Sequence, residues 1–246
     1  MPDRNPNLVF DIGASNGTDT QYYLDKGFDV IAVEADPVMY ATIVKQFQPD
    51  LSSGRLQILN RAAYRANGET LAFWRDEQRQ KMSSLRGPRR KQDSGQLTKY
   101  DVTSIDYPSL AAIGGVPHYC KIDIEGGEVA FLNSMTSLAE APRYLSAEAH
   151  SFAPVEELHR IGYPHFMLVD QRAVGGFRVP DPPLEGKFAA KLKWKQGSGP
   201  FGRELPGKWV DYDEVGEIFE MIVKLKSHRT VLATRYDCHV WNGEGD

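Results

Sequence analysis

Short apolar runs alternate with amphipathic stretches along this chain, the pattern of strands and helices taken in turn. Leu8-Val9-Phe10 is the first apolar run, and a helix is expected from Thr18 to Lys26. Gly27 supplies the left-handed residue that commonly ends a helix. Phe28 to Val33 reads as a second strand. Asp36 is a good N-cap and Pro37 a good first helical residue, so the next helix should run to about Phe47. Further strands are expected at Leu56 to Leu59, Leu71 to Trp74, Val102 to Ile105, Tyr119 to Ile124, Tyr144 to Ala149 and His165 to Val169. Helices are expected through Phe131 and Met135, from Val155 to Ile161 and from Tyr212 to Lys226, before a final strand from Thr230 to Val240. The alternation predicts an α/β fold, a parallel sheet with helices on both faces. No internal repeat and no convincing linker divides the chain, so one domain over residues 1–246 is expected.

Composition narrows this picture. The 246 residues are 41% hydrophobic and 25% charged, enough to bury a real core. No stretch approaches the ~18 apolar residues of a membrane helix. The polar start, Met1 to Asn5, lacks the apolar core of a secretory signal. A soluble, cytoplasmic protein is the expectation. Two cysteines, Cys120 and Cys238, make neither a disulfide framework nor a multi-thiolate zinc site. A net charge of −4 argues against general nucleic-acid affinity. Yet residues 75–100 and 171–210 each carry eight Lys/Arg against three Asp/Glu. They read either as solvated loops or as basic flaps over a site for an anionic or hydroxyl-rich substrate. The second segment holds seven Gly and five Pro, an irregular insertion that could form a lid. Its Trp194, Phe201 and Trp209 can stack on a ligand ring or pin the loop to the core.

Candidate chemistry begins after the first strand, at Asp11-Ile12-Gly13-Ala14-Ser15-Asn16-Gly17. A glycine-bearing turn lets backbone approach a ligand, and the helix that follows presents unpaired N–H groups. Glu34, 17 residues after Gly17, can accept hydrogen bonds from ribose hydroxyls. A dinucleotide fold wants Gly-x-Gly-x-x-Gly, whereas Ser15 stands at the second glycine position here. Asp11 would repel pyrophosphate but can hold a cationic amino group. Asp11 with Glu34 therefore suits a nucleoside bearing an ammonium and a sulfonium, S-adenosylmethionine.

The second constellation is Lys121-Ile122-Asp123-Ile124-Glu125-Gly126-Gly127-Glu128. Central parallel strands normally read as continuous apolar runs. Alternation would put Lys121, Asp123 and Glu125 on one side of the strand. Burying three ionisable groups costs several kcal/mol unless each is paired or meets a ligand. The escape is a strand whose carboxyl end opens into the ligand cleft of an α/β sheet. One strand later, Glu148 and His150 share a face at another carboxyl end. An ion-pair network built on Lys121 is the structural alternative.

These blocks, with Val33-Glu34-Ala35-Asp36-Pro37, Asn60-Arg61-Ala62-Ala63, Met82-Ser83-Ser84-Leu85 and Glu148-Ala149-His150 in order, resemble the FkbM-type family of methyltransferases. The similarity spans roughly residues 8–150, and Ala35 departs from the proline that often follows the acid. The resemblance implies a Rossmann-like fold with a mostly parallel seven-stranded sheet and an antiparallel C-terminal strand. It implies S-adenosylmethionine as cofactor and O-methylation of hydroxyls on sugars, glycans or polyketide-like products. The expected cofactor residues are Asp11, Gly13, Ala14, Asn16, Gly17, Glu34, Ala35, Asp36, Arg61, Ala62 and Asp123. The expected catalytic residues are His150, Asp123, Glu148 and Glu125. His150 is the preferred base because its unperturbed pKa lies near neutrality, and Asp123 or Glu148 could act instead. A divalent ion on Asp123, Glu148 and His150 is the alternative route to an acidified hydroxyl; hard oxygen ligands would favour Mg²⁺, and no metal is assigned. Arg61 can lie over the adenine or reach the substrate. The remaining histidines, His239 with Asp237 on the last strand included, read as structural. Two other functions stay in view, a nicotinamide-dependent oxidoreductase and a catalytically silent cofactor-binding protein. The acceptor, a small molecule or a glycan, is unnamed by the sequence, as is the oligomeric state.

Overall fold

A computed structural model of the chain describes residues 3–77, 85, 97–189, 198–227 and 236–243. The elements run β1 (Arg4–Ile12), α1 (Thr18–Asp25), β2 (Asp29–Val33), α2 (Pro37–Gln46), α3 (Gln48–Ser52), β3 (Leu56–Leu59), β4 (Ala62–Ala63), β5 (Thr70–Asp76), β6 (Leu97–Ile105) and α4 (Tyr107–Gly114). They continue β7 (Val116–Ile122), α5 (Glu128–Leu132), β8 (Tyr144–Glu148), α6 (Ala153–Ile161), β9 (His165–Asp170), α7 (Tyr212–Ser227) and β10 (Tyr236–Trp241).

Seven strands form the main sheet in the order β3-β2-β1-β7-β8-β10-β9. All are parallel except β10, which runs against both β8 and β9. This is the Rossmann-like arrangement expected. The strand order reverses between β1 and β7, the place where open α/β sheets admit ligands beyond their carboxyl ends.

Both faces of the sheet are buried. Leu8, Phe10 and Ile12 of β1 face a core shared with α4, α5, α6 and α7. Val9 faces a second core with Tyr22, Tyr23, Ile43, Phe47 and Phe201. Cys120 and Cys238 are buried and unpaired on the first side, packed as small apolar residues. Asp36 caps α2 by accepting from Val38 and Met39 N–H, with Pro37 leading the helix.

Among the departures from the sequence reading, α3, β4 and an α5 that ends at Leu132 rather than reaching Met135 are small, and three are larger. First, β5 and β6 pair with each other and with β4 in a separate three-stranded sheet. Local pattern identifies a strand but not its partner. Second, α4 forms where no helix was expected, capped by Asp106 on the Ser109 N–H. Third, β7 stops at Ile122, so the alternation that placed Glu125 beside Lys121 ends too early to reach it. Glu125 lies in a left-handed turn, φ 52°, before Gly126 at φ 93°.

The described parts of 171–210 are fastened to the sheet. Phe201 stacks on Tyr119 at 4.1 Å between ring centroids. Lys26 and Glu204, both fully buried at their side chains, pair at 2.6 Å. Glu204 also accepts from the Leu184 and Glu185 N–H groups, which ties this segment to the end of α1. His118 meets Glu185 at 2.8 Å. Burial works against ionisation of Glu185, but His118 and Arg203 outweigh it and hold the carboxyl below its usual pKa. Trp209 is partly buried beside Tyr144, while Trp194 lies outside the described residues. Most of the basic stretch 75–100, Met82-Ser83-Ser84 included, also lies outside them. Arg75 belongs to no solvated flap: it is buried and bonded to Asp36 at 2.9 Å.

Candidate active site

The sheet grows more polar toward its carboxyl edge on the α1 side. Strand register sets Val9, Tyr119, Tyr144 and Trp241 in one row. Two residues further along lie Asp11, Lys121, Ser146 and His239. One step beyond, Glu148 faces Asp237 across β8 and β10. The middle row is buried, and all of it but His239 is held by pairing. Lys121 Nζ lies 3.3 Å from Asp11, 3.2 Å from Asp19 and 3.9 Å from Asp123, and donates to the Gly13 carbonyl at 3.1 Å. Burial alone would push Lys121 toward neutrality, but Asp11, Asp19 and Asp123 more than reverse it. The Tyr119 hydroxyl meets Ser146 Oγ at 2.6 Å. His239, with no compensating charge, is driven down to a pKa of about 3 by burial.

Asp11 is fully buried, and its other oxygen accepts from Thr20 Oγ1 at 2.6 Å. Its carboxylate thus works through Lys121 and Thr20, fixing the base of the β1–α1 turn. Gly13 is required by contact. A Cβ there would sit 1.9 Å from the Asp123 carbonyl oxygen, and φ is 84°. Gly17, at φ 77°, precedes α1 and packs under Phe47. Between them Ser15 adopts φ 49°, a left-handed conformation uncommon outside glycine. Ala14 is buried, and Asn16 Oδ1 accepts from the Thr18 N–H and hydroxyl.

Glu34 closes this turn. One oxygen accepts the Ser15 N–H at 2.7 Å and the other the Asp36 N–H at 2.8 Å. Burial raises its pKa to about 7, against those two bonds and Lys121, with Asp36 adding to the rise. Asn60 Nδ2 donates to the carbonyls of Glu34 and Ala35, aligning the third strand's exit with the second's. Asp36, expected among the cofactor residues, spends one oxygen on the α2 cap and the other on Arg75. Ala62 is buried, whereas Arg61 is exposed and donates to the Asn60 carbonyl.

The other half of the edge gathers Glu125, Glu148 and His150. One ligand-type atom from each lies within 4.8 Å of the others. His150 Nε2 stands 2.9 Å from Glu148 Oε2; the His150 side chain is 48% exposed and that of Glu148 1%. The Glu148 carboxylate beside it raises the His150 pKa above its usual value, against partial burial. Asp123 is not one of this trio; its carboxylate lies 3.9 Å from Lys121, with a third of its side chain exposed. Glu128, buried in the first turn of α5, accepts from the Ile124 and Gly126 N–H groups and so holds the turn that carries Glu125. Asp237 is the residue that sequence reasoning set aside. It is buried, accepts from Gln171 at 2.7 Å, and has its carboxyl held well above the usual pKa by burial, Asp123 and Glu148. Its position on an antiparallel strand far along the chain gave no local signal of this neighbourhood.

A separate apolar cavity of about 330 Å³ lies between α4 and residues 134–140, and no member of the site lines it.

Residues 11–170 match the family described as Methyltransferase FkbM domain. The match ends where the irregular insertion begins. Among solved structures, the chain is similar to a precorrin-6y C5,15-methyltransferase from Geobacter metallireducens GS-15, at 9% identity over 98% of this chain and 82% of that one, with a TM-score of 0.42. It is also similar to a human methyltransferase 10 domain containing protein, at 10% identity over 98% of this chain and 74% of that one, with a TM-score of 0.40. No curated protein matches the chain. Among the described residues no helix is long and apolar enough to cross a membrane.

Proposed function

The chain belongs to the FkbM methyltransferase family, and from that premise we propose that it carries the methyl group of S-adenosylmethionine to a hydroxyl oxygen of a sugar, glycan or secondary metabolite. One observation carries the reading. A locked glycine turn with its acidic partner Glu34 lies on the same sheet edge as the acid–histidine group of Glu125, Glu148 and His150.

The residues fit the methyl donor. Each Glu34 oxygen accepts one backbone N–H and keeps a lone pair for a ribose hydroxyl. Gly17 itself adds no side-chain cap at the start of α1, where Asn16 already accepts the Thr18 N–H, so the N–H groups after Thr18 are those a donor carboxylate would address. Asp123, at the strand end between the two halves, offers a negative charge to a cationic ligand. The bound donor supplies an electrophilic methyl carbon on a sulfonium.

The chain's own task is alignment and proton removal. Fixing the acceptor oxygen in line with the methyl carbon supplies up to ~7–11 kcal/mol in favourable cases. The hydroxyl proton must also leave. His150 Nε2 is engaged by Glu148, so Nδ1 is the ring nitrogen that takes this proton when nothing else occupies the group. A positioned base is worth roughly 10²–10⁴-fold.

The test is binding followed by transfer. Calorimetry should detect S-adenosylmethionine and not NADP. Labelled methyl groups should then enter a cell-extract fraction as base-stable ethers. NADP binding would favour an oxidoreductase. Donor binding with no transfer would leave a silent binding protein, and label in amines would move the acceptor atom to nitrogen.

A further inference from the structure

A buried acid, Asp237, stands behind the half-open acid–histidine group. We propose that Glu125, Glu148 and His150 form a divalent-cation site of the Mn²⁺ class, backed by Asp237, which holds and acidifies the acceptor hydroxyl. The proposal rests on the functional reading only for the identity of that hydroxyl.

Geometry is the first support. Octahedral bonds of about 2.1 Å place neighbouring ligand atoms about 3 Å apart and opposite ones about 4.2 Å apart. The Glu148–His150 separation is 2.9 Å, and all three ligand atoms fall within 4.8 Å of one another. An ion can enter with small side-chain shifts. The three come from two strand ends that cannot move independently. Glu148 closes β8 and His150 follows two residues later, while Glu125 is held in its left-handed turn by Glu128. A strained non-glycine residue maintained by dedicated hydrogen bonds is a feature of ligand sites.

Asp237 is the second, independent support. It stands directly opposite Glu148 in the β8–β10 register, so both carboxyls project from the same face. Gln171 satisfies Oδ1, but Oδ2 is buried and accepts no hydrogen bond among the described residues. A buried carboxyl oxygen without a hydrogen-bond partner costs free energy that a nearby cation, by favouring the ionised form, or a water on it, would recover. Such outer partners orient metal ligands and tune their charge.

The donor set indicates the metal. The imidazole favours a first-row transition ion over Ca²⁺ or Mg²⁺, which prefer oxygen alone, and of that series Mn²⁺ is the one best suited to carboxylates. The exposed side of His150 leaves positions for water or substrate, as a catalytic ion requires. With the ion bound, His150 is a ligand, and the coordinated hydroxyl releases its proton to water. The oxygen's electron pair then forms the C–O bond as the C–S pair returns to sulfur, giving an ether and a neutral thioether.

The experiment titrates Mn²⁺ into the full chain without S-adenosylmethionine, read by calorimetry and by electron paramagnetic resonance of the free ion. One ion per chain is expected. Glu125→Gln, in a solvent-reached turn, and His150→Ala should each weaken binding at least tenfold, and Asp237→Asn about tenfold, with melting curves confirming that each variant folds. No binding, or binding unchanged in both Glu125→Gln and His150→Ala, overturns the site. S-adenosylmethionine affinity is measured separately on the same samples. Donor binding without Mn²⁺ binding sinks this inference and leaves the functional reading standing; the converse sinks the reading alone. Full methyl transfer in EDTA, unmoved by added Mn²⁺, also overturns the proposal.

Discussion

The two halves of the sheet edge solve the problem of buried charge in opposite ways. Around β1 and β2, the polar groups are closed upon one another. Lys121 is shared among three aspartates, Glu34 spends each oxygen on a backbone N–H, and Asp36 divides itself between a helix cap and Arg75. Around β7, β8 and β10, closure is incomplete. His150 stands half exposed on Glu148, and Asp237 keeps a buried oxygen without a donor among the described residues. The difference teaches where each half spends its free energy. The first is preorganised, so that a ligand meets a finished surface and little ordering cost remains on binding. The second leaves half of the His150 side chain open to solvent and one buried Asp237 oxygen without a partner among the described residues, the kind of perturbed acid–histidine group that marks a candidate site.

The largest effect should come from breaking the finished half. Gly13→Ala would place a Cβ 1.9 Å from the Asp123 carbonyl at a left-handed φ. A cost above about 3 kcal/mol is expected from strain and overpacking together. Thermal melts should show the loss, with S-adenosylmethionine binding abolished. A variant with wild-type Tm would mean that the turn is not locked. In the incomplete half the expectation is reversed. His150→Ala should leave Tm and donor affinity near wild type while turnover falls about 10²–10⁴-fold, measured by labelled methyl transfer. Loss of donor affinity in that variant would show the halves to be one unit.

Glu34 sharpens the contrast through pH. Its folded pKa of about 7 lies above the ordinary 4.5, so between these values the folded chain holds a proton that the unfolded chain has released. This group's contribution to stability therefore falls as pH rises through that window. Ribose hydroxyls donate best to the ionised form, so donor affinity should move the other way. About tenfold weaker binding is expected at pH 6 than at pH 8, and Glu34→Gln should flatten the difference. A flat wild-type profile would remove Glu34 from the ribose. The smallest effect is assigned to Arg61, exposed and bonded to its neighbour's carbonyl. Arg61→Ala should shift donor affinity by less than about fivefold in calorimetry, the scale of an exposed charge.

The same division governs what could be read from sequence. The closed half is local. Asp11, Gly13 and Gly17 share one turn, and Asp36 with Pro37 announces α2, so strand, turn and cap signals lie within a few residues of one another. Lys121 and Asp123 were conspicuous because charge interrupts a central strand. The open half is assembled from afar. Asp237 reaches Glu148 only because β10 inserts antiparallel between β8 and β9, a pairing without a local signature. Glu125 was placed by alternation that stops at Ile122, and its orientation comes from Glu128 and a left-handed turn. The pairing of β5 with β6 away from the main sheet was hidden for the same reason, since register between distant strands is a tertiary property.

The central claim is that the turn from Gly13 to Gly17 with Glu34 holds the methyl donor. It is tested most directly by titrating S-adenosylmethionine into the wild-type chain and into Glu34→Ala at pH 8. One donor per chain is expected, with at least tenfold weaker binding in the variant and an unchanged overall fold by circular dichroism. No uptake by the wild-type chain, or equal affinity in the two proteins, would contradict the account.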